Sequence, residues 1–151
     1  MRLTNSYGSP KYVDSTKWYL VLNDLVKTAF KQKEITIQSN GESSRDFLWM
    51  GDVCSVTEKL LHVNCENETF NLSSGKSMKV IDLALMIKNI YAKRYNKDIK
   101  IKINKNDTNQ YPFVEVNNNK LLKQIEFNFT NHMIEEINNI FSLLENGNLH
   151  G

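Results

Sequence analysis

An α/β layer fold is predicted, because helical and strand patterns alternate along the chain without an internal repeat or a long low-complexity linker. The first patterns are helical over residues 15–32, strand-like over residues 34–38 and densely apolar over residues 46–50. The length of 151 residues suits one compact domain. We expect this domain to span residues 1–145 and a flexible tail to span residues 146–151.

The first helix and the first strand are predicted from the spacing of apolar residues. Across residues 15–32 these residues recur at intervals of three and four, which is the period of one helix face. Ile35 and Ile37 alternate with polar residues, so their segment is predicted to be a strand with one buried side. Asn40-Gly41 follows as the centre of a turn.

A second strand and a second helix are predicted beyond that turn. The apolar run over residues 46–50 indicates a buried strand. Asp52 is expected to cap a helix that ends near His62. That helix is expected to bury the apolar residues Val53, Val56, Leu60 and Leu61.

The middle of the chain is predicted to contain a short strand and a long helix. The strand covers residues 69–72 and ends at a Ser-Ser-Gly turn over residues 73–75. Ser77 is expected to cap a helix that runs to about Tyr95. One stripe of this helix is apolar and consists of Val80, Leu83, Ala84, Ile87 and Ile90.

The last third is predicted to hold a half-exposed strand, a polar loop and two helices. Isoleucines alternate with lysines over residues 99–103, and the loop covers residues 104–112. A short helix is expected over residues 120–125, and Thr130 is expected to cap the last helix. The residues of that helix expected to face the core are Ile134, Ile137, Ile140, Phe141 and Leu144.

Composition argues against several classes of partner. Lys and Arg total 19 against 17 for Asp and Glu, and this near-neutral balance predicts neither a nucleic acid nor a membrane surface as partner. No apolar run reaches the roughly 20 residues of a membrane span, and the first residues lack a signal-peptide pattern. Cys54 and Cys65 are expected to be free thiols, which indicates a reducing compartment and the cytoplasm.

Motifs for catalysis, cofactors and metals are missing from the sequence. It contains no GxGxxG, Walker A, GxSxG or HExxH pattern, so no catalytic residue, cofactor-binding residue or metal ligand is predicted. Residues 7–11 match Tyr-x-x-x-Lys, but Gly8 and Pro10 prevent the helix that would place Tyr7 and Lys11 on one face.

Three polar residues are candidates for binding a ligand. Arg45 lies between a turn and a buried strand, where its guanidinium could bind a diphosphate or pair with Asp46 or Asp52 on the surface. Asn71 ends a strand beside the Ser-Ser-Gly turn, and its amide could bind a ligand oxygen or serve the turn itself. Asn5 flanks a tight turn and has the same two interpretations.

Four segments, in order along nearly the whole chain, resemble one enzyme family. Residues 2–8 with Pro10 are similar to its R-x-x-N-x-YGP segment, and residues 41–53, GESSRDFLWMGDV, are similar to G-x-x-x-RDFI-x-V-x-DV. Residues 70–83, FNLSSGKSMKVIDL, resemble YNIGSG-x-x-x-S-x-x-EL, and residues 116–127 resemble the closing D-x-SK-x-x-x-x-LG(W/F) run. The family is the NAD-dependent epimerase/dehydratases, which modify sugar nucleotides and belong to the extended short-chain dehydrogenases/reductases.

The resemblance implies an α/β fold made of the last Rossmann strands and a small substrate-binding subdomain. The family's Gly-rich loop and catalytic Tyr-x-x-x-Lys lie in an N-terminal Rossmann half that this chain is expected to lack. NAD(P) is therefore implied by the family only, with its binding site outside this chain. By position in the motifs, Asn5 would contact the sugar-diphosphate side, Arg45 the diphosphate and Asn71 the nucleotide region. The strand over residues 36–38 lies where the family lines the base, but its generic sequence assigns no individual residue there.

This chain also departs from the family pattern. The family usually has a second Arg before its closing segment, whereas residues 108–113 read TNQYPF, and residues 9–16 do not align. The leading hypothesis is a nucleotide-sugar binding portion that is inactive alone and acts with a separate Rossmann half. The alternatives are a stand-alone, non-catalytic binding module and a truncated relic with exposed apolar surface. The shared segments do not distinguish epimerases from dehydratases.

Overall fold

A computed structural model describes residues 1–148, and the predicted α/β fold is confirmed. The strands are β1 (Arg2–Leu3), β2 (Asn5–Tyr7), β3 (Glu34–Ile37), β4 (Ser44–Trp49), β5 (Asn71–Leu72), β6 (Ser77–Lys79) and β7 (Lys100–Ile103). The α-helices are α1 (Val21–Gln32), α2 (Met50–Leu60), α3 (Val80–Tyr95), α4 (Asn119–Leu122) and α5 (Met133–Asn148). None of the helices in this part of the chain is long and apolar enough to cross a membrane.

The strands form three small sheets within the described residues. In the central sheet β4 pairs in parallel with β2 and antiparallel with β6. The other two sheets are parallel pairs, β1 with β5 and β3 with β7. Since β1 leads directly into β2, the first residues of the chain connect the β1–β5 pair to the central sheet.

The core consists of two apolar clusters, and β4 contributes to both. Phe47 belongs to the larger cluster, which α1, α3, α5 and β3 complete. Leu48, the next residue, belongs to the smaller cluster with side chains of α2, β5 and α4. Successive strand residues point to opposite faces, so β4 separates the two clusters. This position explains why residues 46–50 read as a dense apolar run.

The predicted first helix is in fact two helices. A 3-10 helix covers Thr16–Tyr19, and α1 begins at Val21, because Leu20 between them has extended backbone angles of φ −66° and ψ 137°. Trp18 and Val21 both pack against the larger cluster despite this break. The apolar spacing therefore continues through Leu20, and the sequence pattern alone does not reveal the interruption.

Asp52 and Thr130 do not cap the helices predicted for them, and one contact explains both errors. Helix α2 begins at Met50, ahead of Asp52. The buried Asp52 carboxylate instead accepts hydrogen bonds from Thr130 N at 2.8 Å and from Thr130 Oγ1 at 2.9 Å. Thr130 therefore bonds to α2 and does not cap α5. At the start of α5, Asn131 Oδ1 accepts a hydrogen bond from the N–H of Met133.

Other differences concern the positions of element ends. Ser77 does not cap a helix but begins β6, and α3 starts at Val80. Leu61, predicted to be buried, is 79% exposed because α2 ends at Leu60. Ile134, predicted to face the core, is 61% exposed, and Met133 takes the buried position at the start of α5.

Most of the remaining predicted elements are confirmed. The long helix ends at Tyr95 as expected, and its stripe is buried except at Ile90, which is partly exposed. Helix α5 continues through the first residues of the predicted tail to Asn148. Residues 149–151 of that tail lie outside the described residues, and the domain boundary at residue 145 stays a prediction.

A buried carboxylate joins the segments around the central sheet. Asp46 on β4 is 4% exposed. Its Oδ1 accepts from Thr4 Oγ1 at 2.6 Å and from Ser74 N at 2.9 Å. Its Oδ2 accepts from Ser74 Oγ at 2.9 Å and from Lys76 N at 3.2 Å. These donors are neutral hydroxyl and backbone groups, so hydrogen bonds alone compensate the loss of water around the carboxylate.

We predict that Asp46→Asn destabilises the fold by about 2–4 kcal/mol, because an amide NH₂ would face donors that need an acceptor. Urea unfolding followed by circular dichroism measures this change. The matched control is Asp14→Asn at an exposed position, where we expect a change of at most about 0.5 kcal/mol. Equal effects of the two substitutions would contradict the proposed role of Asp46.

A second polar contact links α3 to α5. Arg94 donates to Glu145 from Nε at 2.9 Å and from Nη2 at 2.7 Å, and the Tyr95 hydroxyl donates to the same carboxylate at 2.6 Å. The hydrogen bonds from Arg94 lower the pKa of Glu145 below its ordinary value of 4.5. The carboxylate form is therefore the one that the folded state favours.

We predict that the stabilising effect of Glu145 is present at neutral pH and is lost as the pH falls below 4.5 and then through the lowered pKa. Comparing urea midpoints of Glu145→Gln and the unmodified protein across this range tests the prediction. The difference between them should shrink on acidification. The exposed Glu126→Gln serves as control and should show no such trend.

Candidate functional site

A cleft of about 300 Å³ lies where the β1–β5 pair meets the central sheet. Its lining comprises residues 2–5, residues 44–46, Asn71, Val114 and Val116. The three residues singled out from the sequence, Asn5, Arg45 and Asn71, thus lie in one cleft although up to 66 positions separate them in the chain (71 minus 5). That they bind a ligand stays a prediction.

Strand register explains how these residues come together. Asn71 on β5 is the pairing partner of Arg2 on β1. Asn5 on β2 is the pairing partner of Phe47 on β4, and Arg45 lies two residues before Phe47. Because strand residues two apart share a face, Arg45 and Asn5 are diagonal neighbours on the same side of the central sheet.

The two asparagine amides are oriented by weak contacts to the backbone. Asn5 Nδ2 donates to the carbonyl of Asp46, and Asn71 Nδ2 donates to the carbonyl of Asn117, both at 3.3 Å. Both side chains are exposed, and their Oδ1 atoms have no hydrogen-bond donor within residues 1–148. Each amide can therefore still accept a hydrogen bond from a ligand hydroxyl or N–H group.

The guanidinium of Arg45 is exposed and makes no ion pair or hydrogen bond with the described residues. The alternative of a surface pair with Asp46 or Asp52 is wrong. Asp46 points to the opposite face of β4 and is held by Thr4 and the 74–76 turn, and Asp52 is held by Thr130. Arg45 is therefore available to bind an anion in the cleft.

A segment without regular structure forms the apolar wall of the cleft, and three serines, of which Ser44 and Ser73 are buried, hold it in place. Ser44 Oγ accepts from Val114 N at 2.8 Å, and Ser77 Oγ donates to the carbonyl of Val114 at 2.6 Å. Ser73 Oγ donates to the carbonyl of Val116 at 2.7 Å. These bonds fix the backbone of the wall, so the cleft has a defined shape before any ligand arrives.

The sequence did not predict that Arg2 or these serines lie at the cleft or hold its wall. Arg2 is part of the first motif of the resemblance, but only the β1–β5 register places it opposite Asn71 in the cleft. Ser44 and Ser73 read as turn residues and Ser77 as a helix cap, because their hydrogen-bond partners lie 37 to 70 positions further along the chain. Such distant pairings leave no signal in local sequence.

A second cleft, of about 600 Å³, lies at the carboxyl ends of the parallel strands β3 and β7. Its lining is polar and includes Gln38, Asn104 and Tyr111. Gln38 thus lies on a cleft, and that residues 36–38 line a nucleotide base stays a prediction. Of that predicted segment, Gln38 lines this cleft and Thr36 does not.

Two features of the described residues bear on a dinucleotide cofactor and on a metal ion. The turn at Gly75 connects β5 to β6 instead of connecting a strand to a helix, so it cannot place a pyrophosphate at a helix N-terminus. No group of three or more His, Cys, Asp or Glu side chains within residues 1–148 could hold a metal ion.

No protein-family model matches the sequence, and no curated protein matches it. Solved structures do match. UDP-N-acetylglucosamine 4-epimerase from Methanobrevibacter ruminantium M1, in complex with UDP-N-acetylmuramic acid, has a TM-score of 0.75 and 18% identity. UDP-glucuronic acid 4-epimerase from Bacillus cereus, with UDP-glucuronic acid and NAD, has a TM-score of 0.70 and 18% identity. dTDP-glucose 4,6-dehydratase from Bacillus anthracis, with NAD, has a TM-score of 0.65 and 17% identity.

These matches include nearly all of this chain and less than half of each neighbour. They cover 97%, 96% and 96% of this chain and 45%, 44% and 43% of the three neighbours, in the same order. The chain thus spans about 45% of the length of the first structure. At identities below one fifth the likeness concerns the fold. The described residues therefore have the fold of one part of the NAD-dependent sugar-nucleotide epimerases and dehydratases, as the resemblance in sequence predicts.

Proposed function

We propose that this chain is the nucleotide-sugar binding portion of an NAD-dependent sugar-nucleotide epimerase or dehydratase, inactive alone. The observation that carries the proposal is the cleft in which Asn5, Arg45 and Asn71 meet. These are the three residues that the family resemblance assigns to the nucleotide sugar, and they converge from three strands.

The chemistry of the cleft supports a sugar nucleotide as ligand. A guanidinium without a carboxylate partner binds phosphate oxygens in a bidentate manner. The free amide oxygens of Asn5 and Asn71 can accept hydrogen bonds from sugar or ribose hydroxyls. Val114 and Val116 supply an apolar wall against which a sugar ring can pack. A diphosphate flanked by hydroxyl-bearing rings matches all three features.

Hydride transfer is proposed to require a second, dinucleotide-binding half, either elsewhere in a longer polypeptide or in a separate one. NAD(P) supplies the hydride chemistry when it is bound in that half, and this chain binds and orients the sugar nucleotide. Two observations support the proposal. Among the described residues, β1 is paired on one edge only, with β5, and Leu3 on this strand is 47% exposed. The faces of a parallel sheet are normally covered by other parts of the protein. The matched structures are also about twice as long.

The two alternatives make different predictions. A stand-alone binding module would bind nucleotide sugars with no need of a second half. A relic would bind none, and its exposed apolar side chains at Met1 and Leu3 would promote aggregation.

We also propose a cytoplasmic location, supported by the free cysteines Cys54 and Cys65.

We predict that Arg45→Ala weakens binding of UDP-N-acetylglucosamine and UDP-glucuronic acid about 10- to 100-fold, since a charge-assisted hydrogen bond contributes about 1.5–3 kcal/mol. Isothermal titration calorimetry measures the effect. Lys31→Ala is the matched control, because Lys31 is exposed at the end of α1, makes no ion pair within residues 1–148 and does not line the cleft. Equal affinities of the two variants would contradict the proposed function.

We predict that the purified chain does not convert UDP- or dTDP-sugars in the presence of NAD(P), because the base and the cofactor site are expected in the other half. Chromatography of the nucleotide sugars measures turnover, with a full-length UDP-glucuronic acid 4-epimerase as positive control. Detectable conversion by the pure chain would refute this part of the proposal.

Sequencing the DNA next to the coding region tests for the second half. An adjacent sequence that encodes a Gly-rich loop and a Tyr-x-x-x-Lys motif favours a working enzyme over a binding module.

A further inference from the structure

The positive charge at the cleft comes from arginines and not from lysines. The chain has three arginines, Arg2, Arg45 and Arg94, and 16 lysines. Arg2 and Arg45 both line the cleft, whereas none of the lysines does. Arg94 is held in the bidentate pair with Glu145 between α3 and α5. Both arginines that are free of such a pair therefore face the same small space.

No carboxylate of residues 1–148 forms an ion pair with either guanidinium. Arg2, like Arg45, is exposed and has no ion pair with any residue from 1 to 148. Asp46 is the one carboxylate that lines the cleft, and its oxygens accept hydrogen bonds from Thr4, Ser74 and Lys76 instead. Two uncompensated cations in one cleft repel each other, and an anion between them relieves that repulsion.

The two guanidiniums reach the cleft from different sheets. Arg2 lies on β1, where Asn71 is its pairing partner, and Arg45 lies on β4, diagonal to Asn5. Each arginine thus has one asparagine amide beside it. The facing wall, Val114 and Val116, is apolar. The cleft therefore contains two guanidiniums that can each bind an anionic group, and the amide oxygen near each can accept from a ligand hydroxyl.

We propose that Arg2 and Arg45 form a two-guanidinium clamp that holds the two phosphoryl groups of a nucleoside diphosphate. The clamp rests on the proposed function and deepens it by naming Arg2 as a binding residue. It also assigns the preference of the cleft: a diphosphate engages both guanidiniums, whereas a monophosphate engages one. The volume of about 300 Å³ accommodates a diphosphate and part of the attached ring.

The experiment compares UDP with UMP as calorimetric ligands for four proteins: the unmodified chain, Arg2→Gln, Arg45→Gln and the charge control Lys31→Gln. The affinity tag is placed at the C-terminus so that no tag residues lie next to Arg2. We expect the unmodified chain to bind UDP at least about tenfold more tightly than UMP. Arg2→Gln should weaken UDP binding about tenfold or more and change UMP binding less than about threefold, so the preference for UDP is lost.

Arg2→Lys separates geometry from charge. A lysine keeps the charge but lacks the bidentate fork, so UDP affinity should lie between that of the unmodified chain and that of Arg2→Gln. Arg2 is exposed, and we expect unchanged far-UV circular dichroism and an unchanged urea midpoint in both variants. These measurements exclude misfolding as the cause of weaker binding.

The outcomes distinguish the clamp from the proposed function. If UDP binds and Arg45→Gln weakens it, but Arg2→Gln leaves the ratio of UDP to UMP affinity unchanged, the clamp is overturned and the proposed function stands. The same holds if the unmodified chain binds UMP as tightly as UDP. If the unmodified chain binds neither UDP nor a UDP-sugar, the proposed function fails and the clamp fails with it.

Discussion

The arrangement around the cleft depends on the buried carboxylate of Asp46. Its two oxygens hold Thr4, which connects β1 to β2, and the turn over residues 73–76, which connects β5 to β6. These are the segments that carry Arg2, Asn5 and Asn71 into the cleft. A buried anion that satisfies four neutral donors is tolerated only when every donor stays in place. Asp46 therefore constrains the geometry of residues that it does not itself present to a ligand.

A second set of polar contacts attaches the first residues of the chain to helix α5. The hydroxyl of Tyr7 accepts from His132 N at 3.0 Å, and burial raises the pKa of that hydroxyl, which keeps it neutral. Glu136 accepts from Ser9 N and from Trp49 Nε1, both at 2.8 Å. With Asp52 and Thr130, these contacts join β2, α2 and α5 across the boundary between the two apolar clusters.

Polar residues in this chain have two separate roles, and burial distinguishes them. Asp46, Asp52 and Ser73 are buried, and their partners are other parts of the chain. Arg2, Arg45 and Asn71 are exposed in the cleft with few or no such partners. Because a buried polar group must be satisfied internally, the residues left over at the surface of a defined cleft are the ones available to a ligand. That division supports a binding site more strongly than the residue types alone.

The sequence by itself determined most of the helices and strands, since apolar periodicity is a local property: β7 lies, and α3 ends, where it predicts. The ordered motifs also identified Asn5, Arg45 and Asn71 as a group. Only the tertiary structure decided that Asp52 binds Thr130 instead of capping α2, and that Leu61 and Ile134 are exposed. It also placed Arg2 beside Asn71. The physical reason is the same in each case: these outcomes depend on strand register and on hydrogen bonds between distant residues, which no local pattern in the sequence encodes.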